Sequence, residues 1–207
     1  MSTIESITLD VDDPTAADRF YTDALGLDGR VRTRLATEPS TGFRGYTLSL
    51  VVAQPGNVQA LFDAAVAAGA TVLKPVAKSL WGVGASVQAP DGAIWKFATS
   101  AKKDTVPVGR DFDRLVLLLG VDDVPASKRF YAEHGFAVGK SFGSYVDFDT
   151  PRSPIGLGLY KRRALAKDAG VPEEGSGSHR LVIASGDGAY TDPDGFAWAP
   201  VTAPADV

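Results

Sequence analysis

From Ser6 to Val11, apolar Ile7, Leu9 and Val11 alternate with Ser6, Thr8 and Asp10, the period of a strand with one buried face. An Asp-Asp pair follows, where Asp12 or Asp13 is placed to cap a helix and Pro14 suits its first turn. Ala17, Phe20, Tyr21, Ala24 and Leu25 then fall on one helical face, and Gly26 ends the helix. Next, "RVRTRLAT" (30–37) reads as an exposed strand, trailed by a Pro, Ser, Thr and Gly loop, and "YTLSLVV" (46–52) as a second strand. "NVQALFDAAVAAGA" (57–70) places Val58, Leu61, Phe62 and Val66 on one helical stripe ending at Gly69, and strands are expected at 71–76, 83–88 and 93–99.

The pattern then repeats. "SITLDVDDPTAADRFYTDALGL" (6–27) lies over "VLLLGVDDVPASKRFYAEHGF" (116–136), matching Leu9 with Leu119, Asp13 with Asp123, and "RFY" (19–21) with "RFY" (129–131). The turn "APDGAIWKF" (89–97) returns as "DPDGFAWAP" (192–200). The second copy offers the strand-like "YVDFDT", "IGLGLYKRR" (155–163) and "SHRLVIAS", but nothing that corresponds to the helix at 57–70; the first copy is short of strands between 37 and 46. Each half is trimmed in a different place. The polar, proline-bearing "SAKKDTVPVGRDF" (100–112) serves as linker, which divides the chain into 1–100, a linker at 101–112, and 113–207. The paired "RFY" is expected to pack its helix against the sheet, since aromatic side chains supply core area first.

Composition narrows the chemistry. Across 207 residues, Lys+Arg 21 against Asp+Glu 25 gives a net charge of −4, without the basic face that releases counterions from phosphates, so a nucleic-acid partner is not expected. Cysteine is absent, which excludes a disulfide framework, a thiolate metal site and a cysteine nucleophile. The N-terminal "MSTIESITLDVDD" lacks the basic start and apolar core of a signal peptide, and no apolar run approaches membrane-spanning length, so a soluble cytoplasmic protein without a membrane partner is expected. "GVGASV" and "GSGSH" do not join a strand to a helix and read as bends rather than dinucleotide loops. "DVDDP" lacks the glycine and distal glutamate of a calcium loop, and nothing in the spacing fixes a Ser-His-Asp triad.

A strand, an Asp-capped helix carrying "RFY", further strands and a Pro-Asp-Gly turn into a tryptophan strand, in this order and twice over, resemble the vicinal oxygen chelate superfamily, which includes glyoxalase I, the extradiol dioxygenases and the bleomycin-resistance proteins. "KPVAKSLWGVGASVQAPDGAIWKF" (74–97) and "GLYKRRALAKDAGVP" (158–172) look most like its bacterial glyoxalase-like branch. The resemblance implies an α+β fold of two successive glyoxalase-like domains, built from βαβββ-type modules whose curved mixed sheets form cups with helices outside.

The resemblance also implies metal ligands inside the cup: a histidine on the first strand, a second before the second helix, and a glutamate just after the tryptophan of the last strand. Projected here, these positions are Ser6, Thr47 and Lys96 in the first copy and Val116, Ser178 and Ala199 in the second. None suits a divalent ion, and Lys96 brings a cation to where the metal's charge belongs, so no metal and no other cofactor is expected, a divalent metal on displaced ligands being the alternative. Of the two histidines, His134 follows a helix whose dipole it complements, while His179 lies beside a projected ligand position and would enter a cup on a one-residue slip. The expected cup walls carry Thr8, Asp10, Thr47, Ser49, Trp81 and Lys96 in the first copy, and Leu118, Tyr145, Tyr160, Ser178 and Arg180 in the second. Aromatic rings with a few polar groups suit a planar or partly apolar small molecule, with Trp81 as the stacking residue. The leading expectation is therefore a metal-independent small-molecule binder, similar in role to proteins that sequester an antibiotic or another secondary metabolite. The alternatives are a glyoxalase-like lyase or isomerase, or a dioxygenase-type enzyme, with Lys96, Asp10 or His179 moving protons, and an assembly role in which a homodimer covers the trimmed halves.

Overall fold

Both repeats open as the alternation predicts. The computed structural model describes residues 2–201. In it, β1 (Ile4–Val11) buries Ile7, Leu9 and Val11 and leads into α1 (Pro14–Arg19), which widens into a π-helical turn over Phe20–Ala24. Asp13 caps this helix, accepting from the Ala16 amide at 3.0 Å, and Asp123 caps its counterpart α3 (Val124–Glu133) from the Ala126 amide at 2.9 Å. The first repeat continues through β2 (Val31–Leu35), β3 (Ser40–Gly42), β4 (Tyr46–Val51), α2 (Pro55–Ala67), β5 (Thr71–Ser79), β6 (Gly82–Gln88) and β7 (Ile94–Thr99). In the second, β8 (Arg114–Val121) precedes α3, then β9 (Ala137–Phe142), β10 (Tyr145–Asp149), β11 (Ile155–Lys161), α4 (Arg162–Ala169), β12 (Gly175–Gly177), β13 (Leu181–Ser185), β14 (Tyr190–Thr191) and β15 (Ala197–Pro200). The strand expected over 155–163 thus ends at Lys161. Arg162 and Arg163 begin a helix instead, because Leu165, Ala166 and Ala169 share one buried face and Gly170, at φ 91°, closes it in the left-handed region.

The strands pair crosswise between the repeats. β4 is parallel to β7, which continues through β6 to β5, while β8 is parallel to β11, which continues through β10 to β9. Each set, with its helix α2 or α3, is a complete βαβββ module. β4 and β8 then pair antiparallel from Tyr46 opposite Leu119 to Val51 opposite Arg114, which joins the modules into an eight-stranded cup in the order β9-β10-β11-β8-β4-β7-β6-β5. Five further strands, β2-β1-β13-β15-β14, form an open half-cup that joins the cup where Ile4 of β1 pairs with Ile155 of β11; in it β1 of the first repeat lies antiparallel to β13 of the second, while β3 and β12 pair separately as a two-stranded sheet. Both trimmings fall in this half-cup. The strands missing before β4 and the helix missing after β13 would all have belonged to it, so the complete cup keeps every element.

The main core gathers buried residues from strands and helices of both repeats, and each repeat supplies its own aromatic lock there. Tyr21 packs 5.4 Å from Trp95 and donates to Asp91; Tyr131 packs 5.6 Å from Trp198 and donates to Asp192 at 2.5 Å. The "RFY" helices therefore pack as their composition implies. His134 closes α3 as its C-cap, with its ring stacked 4.1 Å from Phe130. No helix among the described residues is long and apolar enough to cross a membrane.

Candidate functional site

Strand alternation decides what faces the complete cup. Leu115, Leu117 and Leu119 of β8 enter the core, so Arg114, Val116 and Leu118 turn to the concave side; by the same alternation β4 presents Thr47 and Ser49, β7 Lys96, β11 Tyr160, and β10 Tyr145 and Asp147. Register aligns these positions into rows. Lys96 stands between Ser49 and Ser86, and Tyr145 between Tyr160 and Phe142.

Helix α4 lies on this concave face. Its Leu165, Ala166 and Ala169 pack with Phe43 and Ile94, flanked by Leu118 and Tyr160. Its C-terminal carbonyls are fastened to the wall: Ser86 Oγ donates to Ala169 O at 2.7 Å, and Lys74 Nζ to Lys167 O at 2.7 Å and Asp168 O at 2.8 Å. The Asp168 carboxylate forms an ion pair with Lys96. A cationic side chain against the carbonyl end of a helix complements its dipole.

Beside α4 remains a cavity of about 580 Å³, lined by Trp81, Lys96, Leu118, Phe142, Tyr145, Tyr160 and Asp168, with Ser144. The Tyr145 and Tyr160 rings meet edge to face at 5.7 Å, and burial, reinforced by Asp147, pushes the Tyr145 phenol up to about 12. Asp147 is itself raised from the usual carboxylate range, chiefly by burial. Gly158 keeps the floor open, since a Cβ there would stand 2.6 Å from Leu118 Cδ2. Across the mouth, Trp81 in the β5–β6 turn and Phe142 at the end of β9 are 87% and 70% exposed, so two edge hairpins hold large aromatic rings in solvent at the cavity's rim. A neighbouring space of about 460 Å³ shares Trp81, Lys96 and Asp168 and adds Lys74 and Lys78. The opposite end of the cup holds about 590 Å³ among Arg114, Lys140, Asp113, Asp147 and Asp149.

The crosswise pairing regroups the residues expected from the sequence. Trp81, Lys96, Leu118, Tyr145 and Tyr160 come from both repeats into one cavity. Thr47 and Ser49 share that cup's floor, but Thr47 is completely buried and its hydroxyl has no hydrogen-bond partner among the described residues. Thr8, Asp10, Ser178 and Arg180 lie elsewhere: Thr8 and Asp10 on β1 of the half-cup, where Asp10 pairs with Arg34 at 2.5 Å, and Arg180 paired with Asp12 at 2.8 Å. Ser178 precedes β13 and accepts from the Arg180 amide at 3.0 Å. His179 also lies outside the strand. It stacks 4.0 Å from Phe196, and its Nδ1 and Nε2 sit 2.6 Å and 3.1 Å from the carbonyls of Arg44 and Asp194, so the ring faces main-chain acceptors rather than the complete cup. Asp168 and Phe142 join the site without having been singled out in the sequence. The buried stripe of α4 was the available signal for Asp168; Phe142 follows from its place opposite Tyr145 once the hairpin register is known.

The projected ligand positions likewise regroup, as Thr47, Lys96 and Val116 in the complete cup and Ser6, Ser178 and Ala199 at the half-cup. The first set offers a hydroxyl in the interior, an ammonium already paired with Asp168, and an alkyl group. No group of three or more His, Cys, Asp or Glu side chains among the described residues is placed to hold a metal ion. The donor set does not fit a His/His/carboxylate metal.

Two βαβββ modules joined through their first strands into a cup define a vicinal oxygen chelate fold. The solved structures agree: glyoxalase I from Zea mays superposes with a TM-score of 0.64 at 14% identity, over 96% of this chain and 91% of that one. A protein from Bacillus subtilis subsp. subtilis str. 168, described as a dioxygenase, gives a TM-score of 0.54 at 14% identity over 93% and 71%. No family model and no curated protein sequence matches the chain. Against this background the chain has the vicinal oxygen chelate fold, with one complete cup and one open one.

Proposed function

We propose that the complete cup binds a planar, partly apolar small molecule without a metal ion, a role similar to that of proteins that sequester an antibiotic or another secondary metabolite. One observation carries this reading: residues from both repeats converge on a cavity whose walls are Trp81, Phe142, Tyr145 and Tyr160, while the ligand position of β7 is a lysine neutralised by the chain's own Asp168. Concave, mainly apolar walls with a few fixed polar groups are what small-molecule sites require. Of the proton-transfer candidates Lys96, Asp10 and His179, Lys96 alone lines this cavity.

The test combines elemental analysis of protein purified without chelator with titration of tryptophan fluorescence. Trp95 and Trp198 are buried in the core, so a ligand in the cup reports through Trp81. The expected result is no stoichiometric transition metal, and saturable quenching that disappears in Trp81→Phe while the far-UV circular dichroism is unchanged. Stoichiometric iron, zinc, manganese or nickel, removed together with ligand binding by a chelator, would overturn the reading.

A further inference from the structure

We infer that the complete cup takes an uncharged aromatic ligand that carries a hydrogen-bond acceptor, with its ring toward Trp81 and Phe142 at the rim and its acceptor at the hydroxyls of Tyr145 and Tyr160. This inference rests on the binding function proposed above and adds the ligand's charge and its polar anchor. One wall of the cup has no polar group left to give. Across β7, β6 and β5 the register sets Lys96, Ser86 and Lys74 in one row. All three are spent on the C-terminal end of α4: Ser86 and Lys74 donate to its carbonyls, and Lys96 pairs with the Asp168 carboxylate. Lys78 is in phase with Val76, which packs on the core, and so turns to the other face of the sheet. The cavity beside α4 is therefore lined by one ammonium and one carboxylate, already paired with each other, and holds no free charge for a ligand.

The opposite wall is used differently. Across β11, β10 and β9, Tyr160, Tyr145 and Phe142 stand in one row of rings. Both tyrosines line the cavity, and their hydroxyls make no hydrogen bond among the described residues. Burial pushes Tyr145 up to about 12, so at neutral pH its hydroxyl is a donor, and the same desolvation acts against an anion placed beside it. A carboxylate or ammonium on the ligand would give up its hydration and meet no free counter-charge. A carbonyl oxygen or a ring nitrogen gives up far less and gains a phenol donor in exchange. The ion pair of Lys96 with Asp168 thus sets the preference by exclusion, and the two phenols set it by attraction.

Three probes of matched shape separate charge from hydrogen bonding: 2-acetylnaphthalene, 2-naphthoate and the hydrocarbon 2-isopropenylnaphthalene, each titrated by calorimetry at pH 7. The ketone is expected to bind at least about tenfold tighter than the carboxylate. Replacing both phenols, Tyr145→Phe with Tyr160→Phe, keeps the rings and should weaken the ketone about fivefold while leaving the hydrocarbon unchanged. Asp168→Asn releases the Lys96 ammonium and should strengthen naphthoate about tenfold without changing the ketone. Far-UV circular dichroism checks that each variant is folded, and the comparison of ketone with carboxylate on the unaltered protein stands without either. Naphthoate bound as tightly as the ketone, a ketone affinity indifferent to both hydroxyls, or a folded Asp168→Asn variant no better for naphthoate would overturn this inference while leaving the binding function intact. Failure of all three probes, and of cationic aromatic analogues, to bind would overturn the binding function itself.

Discussion

Tyr131 shows how much of the fold hangs on single hydroxyl groups. It donates to Asp192, a carboxylate 4% exposed that also accepts from the Asp194 and Phe196 amides. Tyr131→Phe removes one of these donors from a buried charge, so a loss of about 1.5–3 kcal/mol is expected in urea denaturation. Thr47 presents the reverse case. Its buried hydroxyl has no partner among the described residues, so Thr47→Val should raise stability by about 1 kcal/mol and leave ligand affinity unaltered; a loss of affinity would show that Thr47 touches the ligand. The tyrosines also set the response to base. Burial raises Tyr21, Tyr131 and Tyr145 above the usual phenol value near 10, to about 12 for Tyr145. The unfolded chain therefore releases these protons first, and the stability that they contribute is complete below about pH 10 and drains away as pH climbs toward 12. Melting temperature should be flat from pH 7 to 9 and fall steeply above pH 10, and a melt that stays flat to pH 11.5 would contradict the burial of these rings. Lys96 could be placed from the sequence because it follows the tryptophan after the repeated Pro-Asp-Gly turn, and Trp81 because it sits in the short β5–β6 turn just before it. Asp168 was not, because its role depends on a lysine more than seventy positions away.

Among the elements, α4 alters the site most. It follows β11 without a loop, which is why "IGLGLYKRR" reads as uninterrupted strand: β-type alternation runs to Tyr160, and a helix of eight residues offers little periodicity to set against it. Its place in the cup depends on Gly120, where a Cβ would come 2.8 Å from Gly45 O and 3.3 Å from Leu165 Cδ2. The helix thereby occupies concave surface beside the projected metal position and brings Asp168 to Lys96. Leu165 is fully buried in this contact. Leu165→Ala should cost about 2–5 kcal/mol and accelerate amide hydrogen exchange within α4 before the rest of the cup. Uniform acceleration across all strands would instead mean that α4 is an inseparable part of the core. Helices α1, α2 and α3 were legible because each has an apolar stripe, and α1 and α3 each have an aspartate cap.

At the level of the whole molecule, the repeats in the sequence and the cups in space divide the chain differently. Sequence similarity joins β1 to β7 and β8 to β15, whereas hydrogen bonding joins β4–β7 to β8–β11 and β1–β2 to β13–β15. The repeat was visible from "VDD", "RFY" and "PDG", because those residues cap helices and lock the core within each repeat. Pairing between β4 and β8 was not, because two antiparallel strands with alternating faces carry no mark of their partner in composition. The consequence is cooperative. Residues 1–100 alone would expose the edge of β4 that β8 covers and the edge of β1 that β13 covers, and residues 113–207 alone would expose the matching edges. Each fragment should therefore be unfolded or aggregated when produced singly, as judged by circular dichroism and size-exclusion chromatography. Produced together from separate reading frames, the two should assemble into a 1:1 complex that recovers Trp81 quenching, because the cavity takes Trp81 and Lys96 from one fragment and Tyr145 and Tyr160 from the other. If either fragment folds alone as a stable monomer, the crosswise cup cannot be the arrangement that stabilises the chain. The intact protein should for the same reason unfold in a single transition, with Trp81 and far-UV signals lost at the same denaturant concentration.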